Sequence, residues 1–450
     1  MTPRLLYRLF PLAARTSRWL EERCTAGGRL MLGVMIAGAI LGIDIEQTLA
    51  YQLAALAFAL LVASLVISTA WRPRLEIRRV LPDLVTARQA GHYWLEITNR
   101  GRRAERDLVV QERLAEAPLT RARFAELGLA ERRGGGNWFD RVVGYPRWVA
   151  VRQRLRGAAI ALTPVPPVGP GETVRVRMAL EPLRRGWLRF TACTVMCPDP
   201  LGLCRTRRDF DLPGAVLALP RRHPLPALRL VSGRRYQPGG VSLALAVGDS
   251  QEFAGLRDYR PGDPRRHIHW RSFAKTGRLI VKQFQDEYFD RHALVIDTQL
   301  ADAPARFEAV LEVAASILGG PRPRDAILDL VIAGSEVLEL SAGRGLGEGM
   351  TALRHLAEAQ PAPGEDFAAV AAVLEARLDQ LASVILVLGR DDESRRALTA
   401  RLAAHGLRTL CLQVVDDDQA GAPSAPGPVP WHRLRVAELA ADLARIGDGA

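Results

Sequence analysis

The side chains best suited to chemistry lie between Gly248 and Asp290. Arg257, Arg260, Arg265, Arg266, Arg271, Lys275, Arg278 and Lys282 alternate there with Asp258, Asp263, Tyr259, His267, His269 and Trp270. Lys275 and Lys282 are the only lysines of the chain. A lysine is a compact point charge where arginine is a planar fork, so its use twice in one stretch suggests that point charges are wanted there. Three chemistries are open to this set. His267 and His269, two residues apart, share a face of an extended segment and can pair with Asp263 for acid–base work or ligate a metal. Arg, Tyr and Trp together can grip phosphates and stack bases. A cationic, aromatic face can also receive an acidic protein. Two histidines amid arginines make poor cation ligands. Asp258, Asp263, Asp286 and Glu287 weigh against nucleic acid. The stretch is therefore expected to bind an acidic partner through Arg257, Arg260, Asp263, Arg265, Arg266, His269, Trp270, Arg271, Lys275 and Lys282. Phe253, Leu256, Ile268, Trp270, Leu279, Val281 and Phe284 are expected to pack beneath. The bland alternative is that the Arg–Asp pairs and Trp270 lock neighbouring domains together.

Pro261-Gly262-Asp263 supplies turn chemistry, and Leu279-Ile280-Val281 reads as a strand entry. The whole stretch resembles the signature of the bacterial "domain of unknown function 58" family. The matching residues are Gly248, Glu252, Phe253, Gly255, Leu256, Arg257, Tyr259, Pro261, Gly262, Asp263, Arg266, Ile268, Trp270, Ala274, Gly277, Leu279, Val281 and Phe284. Arg185-Gly186, Asp199-Pro200-Leu201-Gly202-Leu203 and the run from Ala215 to Arg221 match further landmarks of that family. The resemblance implies a von Willebrand factor A-like domain after the signature. It also implies association with a MoxR-type AAA+ ATPase, and a transglutaminase-like membrane protein as a second neighbour.

An A-like domain begins an Asp-x-Ser-x-Ser metal motif at the end of its first strand. Here that place reads Asp297-Thr298-Gln299-Leu300-Ala301, so both serine hydroxyls are missing and the oxygen shell for magnesium is incomplete. Asp297 is thus a degenerate metal-motif position, with Asp391 and Asp392 as carboxylates that a facing loop can bring near. No metal and no cofactor are expected. Nucleophilic catalysis needs a Ser or Cys beside a base and an orienter, and no G-x-S-x-G motif is present, so no catalytic residue is assigned. Cys193, Cys197 and Cys204 lack the paired spacing and fourth ligand of a zinc site and read as structural. The run Gly343 to Gly349 lacks the Lys-Ser/Thr end of a phosphate loop and reads as a turn.

The elements that must position these residues follow from composition and pattern. The 450 residues suggest two or three units, and a hydrophobic share of 48% excludes global disorder. The net charge of +12 points to acidic or anionic partners, including the lipids of an inner membrane. Five sparse cysteines do not form a secreted disulfide framework. Residues 1–29 read as a basic cytoplasmic segment. Residues 30–71 read as a transmembrane helical hairpin with close packing at Gly33, Gly38 and Gly42, flanked by Arg outside and by Asp44 and Glu46 in the turn. That charge pattern places both termini and the soluble domains in the cytoplasm, a reducing compartment.

Period-two alternation over 73–220 reads as a β-sandwich of about seven strands, with an insertion at 115–161. A short helix is expected over Leu119–Arg133, followed by a glycine and aromatic patch, Gly134–Phe139. Residues 221–290 form a connecting region that carries the signature. From 291 to 450 strands alternate with helices, the pattern of a doubly wound, mostly parallel sheet. The fold class is α+β multidomain: transmembrane hairpin, β-sandwich, then a von Willebrand factor A-like α/β domain. The expected function is a membrane-anchored, cytoplasm-facing protein-interaction module that works with the ATPase in complex or envelope assembly and is not an enzyme. The alternatives are an anionic-ligand or nucleic-acid-binding membrane protein using the 257–282 patch, and an enzyme with a His/Asp site.

Overall fold

A computed structural model describes residues 4–41, 48–69, 71–116, 119, 124, 145–226, 228, 251–263, 265–286, 290–321, 326–333, 337–342, 346–364, 367–417 and 429–446. The chain divides into two compact units. The first is Met1–Arg221 with Leu356–Glu358, and the second is Arg222–His355 with Ala359–Ala450.

Three helices open the first unit: α1 (Arg4–Arg23), α2 (Ala26–Leu41) and α3 (Thr48–Thr69). α3 has 22 residues and is long and apolar enough to cross a membrane. At a rise of about 1.5 Å per residue it covers roughly 33 Å, against a hydrocarbon core of about 30 Å. α2 has 16 residues, roughly 24 Å, and falls short. The expected two-span hairpin is thereby reduced to one candidate span among the described residues; the turn at 42–47 lies outside them. A Cβ at Gly38 would stand 3.0 Å from the Ala50 carbonyl and 3.1 Å from the Ala54 methyl, so α2 and α3 meet closely there. Gly33 has open space around it, against expectation.

The basic leading segment takes part in a core. α1 is amphipathic, and its Phe10 and Ala14 are buried with Trp148, Val151 and Leu155. These last three belong to a helix over Tyr145–Arg156 (α4), inside the segment read as an insertion. Of the helix expected over 119–133 only Leu119 and Phe124 are described, both in this cluster, and the patch at 134–139 lies outside the described residues.

Among the described residues of this unit, nine strands form two facing sheets. They are β1 (Leu75–Val80), β2 (Leu84–Thr86), β3 (Gly91–Asn99), β4 (Val109–Leu114), β5 (Ala158–Ala159), β6 (Thr163–Pro164), β7 (Thr173–Pro182), β8 (Gly186–Pro198) and β9 (Arg205–Leu219). The sheet orders are β1-β3-β7-β5 and β2-β9-β8-β4-β6. Alternation drives the arrangement: Tyr93, Leu95 and Ile97 of β3 and Val176, Met178 and Leu180 of β7 point inward, onto Leu188, Phe190 and Val195 of β8. Tyr93 and Phe190 meet edge to face across the sandwich at 5.6 Å.

In the second unit β10 (Gln251–Asp258) and β11 (Ile280–Asp286) form a two-stranded antiparallel sheet around a short helix, α5 (Trp270–Thr276). Among the described residues, the remainder is a six-stranded sheet with helices. Its elements are β12 (Asp290–Asp297), α6 (Pro304–Gly319), β13 (Ala326–Ala333), β14 (Val337–Ala342), α7 (Leu346–Glu358), α8 (Ala368–Glu375), β15 (Ser383–Leu388), α9 (Glu393–Ala404), β16 (Arg408–Val415), β17 (Trp431–Arg435) and α10 (Leu439–Arg445). The strand order is β14-β13-β12-β15-β16-β17, parallel throughout except for β14. β17 adds an edge strand that the sequence reading left out. Ala293 and Val295 of β12 pack with α8 and α9, while the intervening Leu294 and Ile296 are buried on the other face, as the central strand of a covered parallel sheet requires. Chain order reverses between β12 and β15, which makes the carboxyl ends of these two strands the crevice where such sheets bind ligands.

Candidate functional site

Two places in the second unit gather the residues singled out by sequence. The first is the β10–β11 hairpin. Its register sets Phe253 opposite Phe284, Leu256 opposite Lys282 and Arg257 opposite Val281. The chain leaves β10 through Pro261-Gly262, where Gly262 has φ +105°, a value that L side chains avoid. Arg257 closes this turn by donating two hydrogen bonds to Asp263, Nη1 to Oδ2 at 2.7 Å and Nη2 to Oδ1 at 2.6 Å. The Arg260 amide also donates to Asp263, at 2.9 Å. The guanidinium, and after it that amide, hold the Asp263 carboxyl below the usual carboxylate range. Arg257 and Asp263 therefore act first on each other.

A 3₁₀ turn over Arg265–His267 follows, then α5. His267 lies in the 3₁₀ turn, while His269 sits at the start of α5 with its Nδ1 2.6 Å from the Ser272 hydroxyl. The two histidines do not share an extended face, and Asp263 is engaged by Arg257, so the expected His/Asp grouping does not assemble. Ile268 and Val281 are buried and bridge each other, as expected of the packing set. Trp270, Leu256 and Leu279 were placed in that set too, and they are instead exposed, at 60%, 45% and 40%. A seven-residue helix on a two-stranded sheet has too little apolar surface to cover an indole. Trp270 and Phe273 meet edge to face at 6.1 Å. Arg260, Arg265, Arg266, Arg271, Lys275 and Arg278 of the same segment are exposed, and Lys282 is half-buried on β11. The Phe253 and Phe284 side chains lie outside the described residues.

The second place is the carboxyl end of β12. Asp297 is fully buried, and an arginine meets it. Arg395, equally buried on α9, donates from Nε to Asp297 Oδ2 and from Nη2 to Oδ1, both at 3.0 Å. Its Nη1 reaches Asp392, its Nη2 lies 3.4 Å from Gln299 Oε1, and its guanidinium lies over the Phe367 ring at 4.3 Å. The amides of Gln299 and Gly389 donate to Asp297, each at 3.1 Å. Asp392 caps α9 by accepting from the Arg395 amide at 3.0 Å, and Asp391 pairs instead with Arg396. The carboxylates that a cation would need thus converge on a guanidinium, which supplies the positive charge and fills the space. A divalent metal does not fit these residues as they stand: Gln299 and Ala301 replace the hydroxyls, and Arg395 takes the centre. Sequence reasoning named Asp297 and Asp392 but missed Arg395. Its signal was present, as a basic residue three positions after a strand-end aspartate on the next helix.

Beside this core opens a cleft of about 530 Å³, lined by Arg306, Arg390, Asp391, Asp392, Glu393, Ser394 and Gln413. Its charges are largely answered from within, Arg306 by Asp416 at 3.2 Å, Arg390 by Asp302 and Asp391 by Arg396. Such a lining is polar without being a concentrated charge of either sign. Elsewhere, burial pushes the thiols of Cys193 and Cys411 up to about 12 and that of Cys197 to about 11, as befits small core residues.

Residues 255–432 match the model of a family described as "Protein of unknown function DUF58". A protein of Bacillus subtilis described as "Uncharacterized protein YeaD" is 29% identical over 175 residues, which is 38% of this chain and 42% of the relative's length. Among solved structures, manganese-loaded TRAP protein of Plasmodium vivax aligns with 36% of this chain and 74% of its own, at 14% identity and a TM-score of 0.27. An aerotolerance-related membrane protein of Bacteroides fragilis aligns with 36% and 89%, at 10% identity and a TM-score of 0.22.

Proposed function

We propose, from the premise that residues 255–432 belong to the DUF58 family of proteins of unknown function, that this chain is a membrane-associated, non-enzymatic module that binds an acidic protein through its β10–β11 hairpin. The observation that carries the reading is the exposed Trp270–Phe273 ring pair on a hairpin segment that also exposes Arg260, Arg265, Arg266, Arg271, Lys275 and Arg278. Aromatic anchors within a charged rim are the composition of protein-binding hot spots, and the rim's sign selects an acidic partner. The neighbouring Arg257–Asp263 clamp fixes the turn that presents this face.

The second unit is read as a von Willebrand factor A-like domain whose metal position has been taken over by Arg395. Partner binding in this reading does not pass through a divalent cation. α3 anchors the chain, α2 and α3 form a hairpin, and the arginines at both outer ends keep the termini and the binding face in the cytoplasm. The partner is a MoxR-type AAA+ ATPase, the protein implied by the family resemblance of the signature stretch. A transglutaminase-like membrane protein is the second candidate in the same assembly. Full-length protein in detergent, titrated with the purified ATPase, tests this. Arg265→Glu/Lys275→Glu should weaken binding at least tenfold, about 1.4 kcal/mol. Equal affinity for both forms would overturn the assignment.

A further inference from the structure

A thiol of the turn between β8 and β9 and a thiol of the α1–α2 junction form a pair that the binding function does not use. The run Asp199-Pro200-Leu201-Gly202-Leu203-Cys204 makes this turn, and Asp199 shapes it by accepting from the amides of Leu201 at 3.1 Å and Cys204 at 2.7 Å. The junction between α1 and α2 is laid against it. Thr25 donates its amide to the Leu203 carbonyl at 3.0 Å and its hydroxyl to the Gly202 carbonyl at 2.5 Å. The same hydroxyl accepts from the Gly28 amide at 3.0 Å and so caps α2. A Cβ at Gly28 would overlap the Leu203 carbonyl, so glycine there permits the close approach. Glu22 adds an ion pair to Arg207.

This seam sets Cys24 opposite Cys204 as an antiparallel bridge. The backbone hydrogen bond runs between their neighbours, which makes them the narrow kind of pair, with Cα atoms about 4.5 Å apart. Disulfides take Cα separations of about 4.4–6.8 Å. Both cysteines are buried, at 9% and 6% exposure, and neither is disulfide-bonded. Cys197 is the competing partner for Cys204. It lies opposite Thr206, which places it diagonally across the ladder from Cys204, at roughly 7–8 Å.

We infer that Cys24 and Cys204 are a redox-responsive pair that closes to a disulfide under peroxide and ties the α1–α2 junction to the β8–β9 turn. One thiolate attacks a peroxide oxygen, the O–O bond breaks, and a sulfenic acid forms with loss of hydroxide, which takes a proton to become water. The second thiolate then attacks that sulfur, the S–O bond breaks and a second water leaves. Two thiols are oxidised by two electrons and one hydrogen peroxide is reduced to two waters. Dithiothreitol reverses the bond by exchange.

The test treats the full chain in detergent with hydrogen peroxide, alkylates the remaining thiols and maps the peptides by mass spectrometry. The free thiols should fall from five to three, with one cross-linked peptide pair joining Cys24 to Cys204 and all five thiols restored by dithiothreitol. Cys24→Ser and Cys204→Ser should each retain four thiols under the same treatment. A wild-type chain that keeps five thiols, a bond between Cys197 and Cys204, or sulfinic acid at either position without a bond would overturn the proposal.

Discussion

Replacing Arg395 by alanine removes the only side chain seen to bridge Asp297 and Asp392 among the described residues. The structure sets the scale. Arg395 and Asp297 are both fully buried and joined by two hydrogen bonds of 3.0 Å, with Asp392 and the Phe367 ring as further partners. Breaking a buried pair by removing one member strands the other charge, at a cost of about 3–5 kcal/mol. The amides of Gln299 and Gly389 still hold Asp297 in the variant, which argues for the lower half of that range. Because the chain has more than one unit, a global unfolding curve is a poor readout, and amide hydrogen exchange on β12 and β15 in the full-length protein is a better one. At about 1.4 kcal/mol per tenfold, a loss of 3–5 kcal/mol raises exchange of these strands roughly a hundred- to several-thousand-fold. The double change Asp297→Asn/Arg395→Met removes both charges and should recover much of that protection, since a buried pair is worth little against a neutral replacement. Protection within threefold of wild type in Arg395→Ala would refute the idea that this guanidinium is the site's resident cation.

Four further outcomes follow from the same geometry. Magnesium, manganese or EDTA should leave amide exchange of β12 and β15 in the wild-type chain unchanged, and tenfold or greater added protection with metal would restore a cation to Asp297. Asp263→Asn should loosen the β10–β11 hairpin at pH 7, as read by amide exchange. Because Arg257 lowers the folded pKa of Asp263, the clamp's contribution is present above the ordinary carboxylate range and is lost as pH falls through the lowered value. The difference between Asp263→Asn and wild type should therefore vanish in strong acid, and a difference that grows toward low pH would contradict the pairing. Gly28→Val cannot keep the α1–α2 junction against Leu203, so limited proteolysis should cut near residue 25 faster than in wild type; unchanged cleavage would argue against the seam. Maleimide at pH 8 should spare native Cys193 and Cys411, both held near 12, and prompt labelling of either would show that its cover opens.

The coarse architecture was legible because two periodicities announce it. Alternation over Tyr93-Leu95-Ile97 and Val176-Met178-Leu180 gives strands with one buried face, and the apolar runs around Val295 and Leu386 give strands covered on both. What stayed hidden rests on pairing between distant segments. α1 reads as a solvated basic segment until α4 supplies a partner for Phe10. β17 is short, carries two arginines and a histidine, and becomes a strand only through β16. At the candidate sites, Asp297 was visible as the remnant of a motif, but Arg395 belongs to an ordinary helix whose arginines look alike in sequence. Only the fold decides that Arg395 turns inward while Arg396 stays exposed at the surface. Trp270 failed in the opposite direction: an indole amid strands reads as core, and here the element beneath it is too small to cover it.

The most direct test of the binding face places a photo-crosslinking phenylalanine analogue at position 270 of the full-length chain in cells and identifies what is captured. The proposed function predicts one dominant adduct, the MoxR-type ATPase, which disappears when Arg265→Glu/Lys275→Glu is added. Adducts with lipid or nucleic acid, or an ATPase adduct that survives the charge reversal, would contradict it.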